Sequence, residues 1–376
     1  MESEPLRVPL ETWLSDLQRA VENALRAGDR PPVLDQPERL LGILTEGEGR
    51  RLASESSLGL PVPRFAIVSV TWRCNLDCRG CYAKVYEPGR EMGLPEIRRV
   101  IREACDLGVF AFVIVGGEPF FVPGLVDALV EEKRGFFFLF TNGTLLTPQH
   151  AKALAGAPHV LPVLSIEGDA ERTDDRRGDG TWSRIERAAG LLREARVPFG
   201  TACMVTHRNV SLVTSRPWFD TLWDMGIRFV FLNDYIPFPE NLEPSLVLTA
   251  EDRVLRAAAL DERRSEARPL FLSFPPDEYL VGGCQAAGMG FLHVNADGWV
   301  EPCPFTRLAA DNLRTRSLAD ALGSPFFRAL RDAVRGWENP GGQCLLFAHR
   351  EEVRGIAERT GALPTCRPPG TGAPPR

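Results

Sequence analysis

Three of the chain's nine cysteines, Cys74, Cys78 and Cys81, fall within eight residues at spacing C-x3-C-x2-C, with Tyr82 directly behind. Thiolates this close can share one soft metal centre. They suit three corners of a [4Fe–4S] cubane, with one iron left open to a reagent, or a zinc site with a remote fourth ligand. Three unrelated buried thiols are the plain alternative. Disulfides explain the pattern poorly, because the cysteine count is odd and the chain reads as intracellular. It opens Met1-Glu2-Ser3-Glu4-Pro5, without the apolar stretch of a secretory signal, so the expected location is cytoplasmic.

Bulk properties narrow the classes. The 376 residues are 44% hydrophobic and 25% charged, values of a soluble globular protein with room for more than one domain. A net charge of −6 gives no field favouring nucleic acid or an anionic membrane, and neither partner is expected. No apolar run reaches the roughly 18 residues of a bilayer span; the stretch Phe136 to Phe140 has strand length.

The elements that must position the thiols can be read from periodicity. Leu10, Trp13, Leu14, Leu17, Val21 and Leu25 recur at helical spacing, and Gly28 can end that helix. A break at Pro31-Pro32 precedes a second apolar-periodic piece around Leu40, Leu41 and Leu44. This region reads as a packing appendage. From Phe65 the texture alternates. Candidate strands span 65–71, 109–115, 136–140, 160–166, 198–205 and 227–233, short and apolar as strands covered on both faces are. Amphipathic stretches lie between them, such as Ile97, Val100, Ile101, Ala104 and Leu107 closed by Gly108. Serial β-α units argue for a parallel sheet with right-handed crossovers.

A polar motif follows each strand: the cysteine loop, Gly116-Gly117-Glu118-Pro119, Thr141-Asn142, Ser165 with Glu167, Asn209, and Asp234-Tyr235. In a parallel sheet these ends share one face, where such folds place ligands. Six units are too few for a closed eight-fold barrel. The expected fold is therefore α/β: a partial (β/α)6 parallel barrel with an N-terminal helical appendage and a small C-terminal β-hairpin-plus-helix auxiliary domain.

Cys74, Cys78 and Cys81 with Tyr82, then Gly116-Gly117-Glu118-Pro119 after the second strand, resemble the radical S-adenosylmethionine (SAM) superfamily over about residues 65–235. The resemblance implies that SAM chelates the open iron of a [4Fe–4S] cluster. Reductive cleavage would then release a 5′-deoxyadenosyl radical that abstracts hydrogen from a substrate. It implies an electron donor such as flavodoxin or ferredoxin. By the same resemblance Gly116, Gly117, Glu118 and Pro119 face the SAM amino group, and Tyr82 lies near the adenine. Thr141, Asn142, Ser165 and Glu167 face the cofactor. Arg177 pairs the SAM carboxylate, with Arg176 its rival and a solvated charged turn the alternative. Asn209 lines the adenine or substrate side. Candidate catalytic side chains are Cys203, Asp234 and Tyr235. Cys203 competes with a reading as a core thiol, and Cys105 reads as a buried small hydrophobe.

Four cysteines remain: Cys284, Cys303, Cys344 and Cys366. Cys284 and Cys303 flank a hairpin signal, with strands 291–294 and 299–302 around Asn295-Ala296-Asp297-Gly298. Their arrangement resembles the opening of SPASM and Twitch extensions, which carry auxiliary Fe–S clusters. A full SPASM domain has more cysteines, so a single second [4Fe–4S] site on these four thiols is expected. A predicted helix over 349–360 would fold Cys344 and Cys366 together. Zinc on the same thiols and a metal-free remnant remain open. The expected divisions are 1–63, an N-terminal extension; 64–240, the partial barrel; 241–270, a helical linker; and 271–376, the auxiliary domain, with a disordered Pro/Gly-rich tail.

The resemblance implies a radical SAM enzyme, an oxidoreductase or maturase. SPASM-like extensions favour a peptide or protein substrate. A small molecule of cofactor or secondary metabolism is the alternative. A non-enzymatic zinc-stabilised binding module is the rival of another class.

Overall fold

The computed structural model describes residues 37–87, 90–239, 242–264, 269–281, 283–338 and 343–366. The helix expected over residues 10–25 and the tail after residue 366 lie outside these. Seven parallel strands run in chain order: β1 (Phe65–Ser69), β2 (Ala111–Val115), β3 (Phe136–Thr141), β4 (Val160–Ser165), β5 (Phe199–Val205), β6 (Ile227–Asp234) and β7 (Leu270–Phe274). A hairpin of β8 (Phe291–Val294) and β9 (Val300–Glu301) completes a nine-stranded sheet, and β10 (Leu308–Ala309) pairs antiparallel with β11 (Leu363–Pro364).

Helix α1 (Pro37–Leu58) precedes the sheet. The crossovers carry α2 (Leu94–Leu107), α3 (Leu125–Glu131), α4 (Pro148–Ala155), α5 (Ala170–Arg177), α6 (Thr181–Glu194), α7 (Val210–Val213), α8 (Arg216–Asp224) and α9 (Ala250–Arg264). After the hairpin come α10 (Leu318–Leu322), α11 (Pro325–Gly336), α12 (Leu345–Ala348) and α13 (Arg350–Thr360). The architecture is a curled, mostly parallel half-barrel with flanking helices. No helix among the described residues is long and apolar enough to cross a membrane.

The sheet does not stop at six strands. An open six-stranded parallel sheet would leave two rows of unpaired backbone groups. Here β7 covers β6, and β8 runs parallel to β1 with Phe65 opposite Phe291 and Val68 opposite Val294. The hairpin expected in a separate auxiliary unit is thus part of the same sheet.

Strand alternation sorts side chains between two faces. On β3, Phe137 and Leu139 are buried in the helix-covered core, while Phe136, Phe138 and Phe140 are half-buried on the other side. There Phe138, Phe140, Phe229 and Phe231 join Val163 and Ala202 in a second cluster. The concave face therefore has an aromatic floor. Helix α2 shows how the convex core is built. Glu96 accepts from Gly93 N at 2.9 Å, Ile97, Val100, Ile101, Ala104 and Cys105 are buried, and Gly108 at φ 96° ends the helix.

Helix α1 sits at the opposite end of the strands from the polar motifs. A Cβ on Gly108 would lie 2.1 Å from Arg51 N, and one on Gly47 would lie 2.5 Å from Phe110 Cβ. Both positions are at or before the start of β2 or under it, so α1 packs tightly only because side chains are absent there. Arg39 also reaches down, its Nη2 lying 3.1 Å from Nδ1 of fully buried His159, just before β4. His159 Nε2 lies 3.2 Å from Leu129 O. These partners fix the neutral tautomer, with Nε2–H donating and Nδ1 accepting.

Burial, and then the charges of Arg39 and Lys133, lower the His159 pKa to about 4. A neutral buried histidine stabilises the fold fully above its unfolded pKa near 6.5, and the contribution is lost as pH falls toward 4. Urea unfolding between pH 7 and pH 4 should therefore show a loss of at most about 3 kcal/mol from this group. The variant His159→Gln should show a flatter pH dependence over that window.

Candidate active site

The cysteine loop leaves the end of β1 and is pinned first by backbone. Gly117 N donates to Thr71 O at 2.6 Å and Glu118 N to Arg73 O at 2.8 Å. A Cβ on Gly117 would lie 2.1 Å from Arg73 O, and one on Gly116, at φ 128°, would lie 2.3 Å from Thr71 O. The two glycines therefore admit the backbone leading into the cysteine loop. The sequence reading had them admitting a ligand; here their missing Cβ atoms are already used by the chain itself.

Glu118 is fully buried and serves the same junction. Its Oε1 accepts from Thr141 Oγ1 at 2.7 Å and from Phe120 N at 3.2 Å, and its Oε2 accepts from Asn142 N at 2.8 Å. Burial raises its pKa in spite of these donors. Pro119 starts the turn that follows. Asn142 then reaches the loop, donating from Nδ2 to Asn75 Oδ1 at 2.9 Å and lying 3.8 Å from Cys74 Sγ. Leu76 N approaches the same sulfur at 3.5 Å.

The far side of the loop meets α5. Arg79 N donates to Arg176 O at 3.0 Å, and Arg79 pairs with Asp175. Glu167, buried past the end of β4, accepts from Arg177 Nε at 2.8 Å, from Arg176 and from Met204 N at 3.1 Å. Burial alone would raise the Glu167 pKa, but the two guanidiniums prevail and hold it below the ordinary carboxylate range. Arg177 Nη1 lies 3.9 Å from Cys78 Sγ. The Nε and Nη2 of the fork expected to grip an external carboxylate lie on Glu167, which is buried beside it.

Tyr82 is tied inward, its hydroxyl 3.2 Å from Ser69 Oγ. Ser69 Oγ lies 2.8 Å from His293 Nε2, and His293 Nδ1 lies 2.7 Å from Glu301 Oε2, all three residues fully buried. This chain fastens the hairpin to the loop. Nothing in the sequence marks it, since the three residues are scattered and share no motif spacing.

Other expected site residues have structural partners. Asn209 is buried with its amide spent on Glu167 O at 3.0 Å and Met204 O at 2.9 Å, so it holds strand ends rather than lining the mouth. Cys203 lies in the helix-covered core, burial driving its thiol pKa well up, which fits the core-thiol reading. Cys105 is likewise buried, its pKa pushed up to about 12. Asp234 is buried against Arg256, and burial raises it to about 6. The Tyr235 hydroxyl accepts from Glu243 N at 2.8 Å, and a Cβ on Gly80 would lie 2.9 Å from the Tyr235 ring. Ser165 stays half-buried at the end of β4.

Three thiols on one short loop, with N–H groups directed at two of the sulfurs, form a donor set that fits a thiolate-ligated cluster. Burial, with the neighbouring Cys81, Glu118 and Cys78 charges adding to it, pushes the Cys74 pKa up to about 11. Metal binding there must displace a proton. Among the described residues no three Cys, His, Asp or Glu side chains close on one ion-sized point, the geometry that a mononuclear zinc needs.

In the C-terminal region Cys284, Cys303 and Cys344 are buried, and burial is the main cause that pushes each thiol pKa up, with Glu278 adding to it at all three and Cys344 adding to it at Cys284 and Cys303. Cys366 is placed differently. It packs with Cys81 and Tyr82 against the stacked rings of Trp72 and Tyr86, 3.9 Å apart. The expected helix after Cys344 is present as α13, but the pairing of β11 with β10 carries Cys366 toward the first loop.

Substituting Gly117 by Val should strip iron from the first loop, because the new Cβ displaces the backbone at Arg73. Iron and sulfide assays after anaerobic reconstitution check this. A variant that keeps its iron and loses only SAM binding would contradict the junction described here.

A family profile for the Radical SAM superfamily matches residues 68–213. The AdoMet-dependent heme synthase of Methanosarcina barkeri is 26% identical over 327 residues, 79% of this chain and 92% of that protein. The PqqA peptide cyclase of Gluconobacter oxydans is 29% identical over 294 residues, 72% and 80% of the two chains. Crystal structures of Streptococcus suis SuiB share the fold. The one bound to S-adenosylmethionine has TM-score 0.63 and 19% identity, covering 77% of this chain and 72% of that one, and another holds the precursor peptide SuiA.

Proposed function

The chain is an enzyme of the Radical SAM superfamily, and from that premise we propose that Cys74, Cys78 and Cys81 hold its SAM-cleaving cluster and that the aromatic concave face seats the substrate. The observation that carries the reading is the loop's anchorage. It is pinned by Gly117, Glu118, Asn142 and α5, with N–H groups aimed at its sulfurs. When bound there, a [4Fe–4S] cluster supplies the electron that cleaves SAM and yields the hydrogen-abstracting radical. The chain's own residues hold and orient. Asn142 and Leu76 direct N–H groups at Cys74, and Arg177 directs one at Cys78, stabilising thiolate charge. The carboxylate of Glu118 is committed to Thr141 and Asn142, so acceptors for the SAM ammonium come from the 116–117 backbone. Ser165, Pro119 and the ring of Tyr82 complete the SAM side of the mouth in this reading.

For the substrate, the reading is a peptide or protein presenting an apolar side chain to Phe138, Phe140, Phe229 and Phe231. Support comes from the aromatic floor, which matches an apolar group, and from likeness to PqqA peptide cyclase and to SuiB with its precursor peptide. A second reading is a flat conjugated small molecule on the same rings, favoured by the 92% coverage of the heme synthase. The remaining thiols, Cys284, Cys303 and Cys344, hold an auxiliary iron–sulfur cluster in this proposal. An external one-electron donor serves the SAM site.

Replacing Cys74, Cys78 and Cys81 together by Ala should abolish 5′-deoxyadenosine formation under reductant. Undiminished cleavage would falsify the assignment. The variant Phe231→Asp should keep uncoupled SAM cleavage while lowering substrate turnover about tenfold, the worth of one lost aromatic contact. Deuterium transfer from labelled peptides or labelled macrocycles into 5′-deoxyadenosine separates the two substrate readings.

A further inference from the structure

We propose that Glu278, and not Cys366, completes the auxiliary site with Cys284, Cys303 and Cys344. This rests on the reading that those thiols hold an iron–sulfur cluster. Glu278 lies in the short 3-10 helix Pro276–Val281 after β7 and is 5% exposed. Its Oε1 meets no hydrogen-bond donor among the described residues. The Cys284 thiol and the Gln285 backbone N–H approach the carboxyl, but among the described residues no arginine, lysine or histidine acts on it. A carboxylate sealed from water without a cation is costly unless it takes up a proton or a metal, and three neighbouring thiols make a metal the partner proposed here.

The charge of Glu278 acts on all three thiols. It is the leading charged neighbour of Cys284 and of Cys344, and it acts on Cys303 as well. Its sequence neighbour shows the contrast. Asp277 is also buried, but it accepts from Ser273 N at 2.7 Å and pairs with Arg264, so its charge is accounted for by the protein. Chain connectivity brings the donors together. The backbone of Gly283 donates to Glu278 O at 2.8 Å, and Ala287 N donates to Pro302 O at 3.1 Å, setting the Cys284 and Cys303 segments side by side.

Cys366 is held elsewhere by independent contacts. Thr365 N donates to Arg307 O at 3.0 Å, Thr365 Oγ1 bonds Glu301, and Cys366 itself lies in the Trp72–Tyr86 cluster. Bringing it to Cys344 would require the β10–β11 pairing to open. The resulting donor set is three soft thiolates and one hard oxygen, which makes one metal position of the cluster unlike the other three.

The test uses the full-length chain with Cys74, Cys78 and Cys81 replaced by Ala, so that only auxiliary iron is counted. After anaerobic reconstitution with iron and sulfide, this background should hold about four irons per chain. Cys366→Ser should leave the iron count and the EPR spectrum of the reduced cluster unchanged. Glu278→Gln, nearly isosteric, should lower the count to about three or fewer or move the EPR g-values, and Glu278→Cys should restore full occupancy with a new spectrum. Loss of iron in Cys366→Ser, with Glu278→Gln unchanged in count and spectrum, overturns the assignment of Glu278 and leaves the auxiliary cluster standing. A background that takes up no iron overturns both.

Discussion

Two backbone hydrogen bonds, from Gly117 to Thr71 and from Glu118 to Arg73, set the position of everything at the mouth of the half-barrel. They form only because Gly117 and Gly116 carry no Cβ, since the opposing carbonyl oxygens stand 2.1 and 2.3 Å from where those atoms would be. Once the segments meet, the buried carboxylate of Glu118 ties the end of β2 to the end of β3 through Thr141 and Asn142. Asn142 passes the constraint to Asn75 in the cysteine loop. Each such bond is worth only about 1 kcal/mol net, but an unmade one in this dry junction would cost more. The loop is therefore placed by the ends of β2 and β3 before any metal binds.

The surroundings of the two thiol groups differ in charge. Beside Cys78 stands the guanidinium of Arg177, which also pairs with Glu167, and the carboxylate of Glu118 acts on Cys74. Around Cys284, Cys303 and Cys344 the near charges are Glu278, with Asp234 close to Cys344 and Glu301 close to Cys303. Positive neighbours favour the more negative, reduced form of an iron–sulfur centre, and carboxylates oppose it. With clusters at both places as proposed, the carboxylates oppose reduction of the auxiliary one, while Arg177 offsets Glu167 at the first. Tyr82 and Phe305 lie between the two regions, their rings 6.5 Å apart.

Much of this was legible in the residues. The spacing of Cys74, Cys78 and Cys81 marked the loop, and alternating apolar runs marked β1 to β6 within two residues at each end. What could not be read was which groups would consume one another. Arg177 and Glu167 both looked like ligand contacts, yet buried together they satisfy each other. Gly116 and Gly117 are expected to face the SAM amino group, and the motif gives no sign that the chain's own backbone approaches them closely. Cys366 reads as a co-ligand of Cys344 because a helix separates them, and the two-residue pairing of β11 with β10 sets it beside Cys81 and Tyr82. Glu278 had no signature at all, since a carboxylate among thiols carries no fixed spacing. The strand β7 and the docking of β8 on β1 depend on sheet edges, which no local pattern describes.

The parallel pairing of β8 with β1 joins residues from opposite ends of the described chain. Contacts of such sequence separation form late and slowly. During synthesis β1, and the cysteine loop that follows it, can pair with β2 almost at once, but its other edge stays open until the hairpin has emerged. For that interval the nascent chain exposes an apolar strand edge beside three reactive thiols, a template for wrong pairing. Maturation therefore has a sequence in time. Sealing of the edge by Phe291 to Val294, with His293 closing onto Ser69, follows the emergence of β1 to β7, and metal loading before that step would meet a loop whose Tyr82 is not yet anchored.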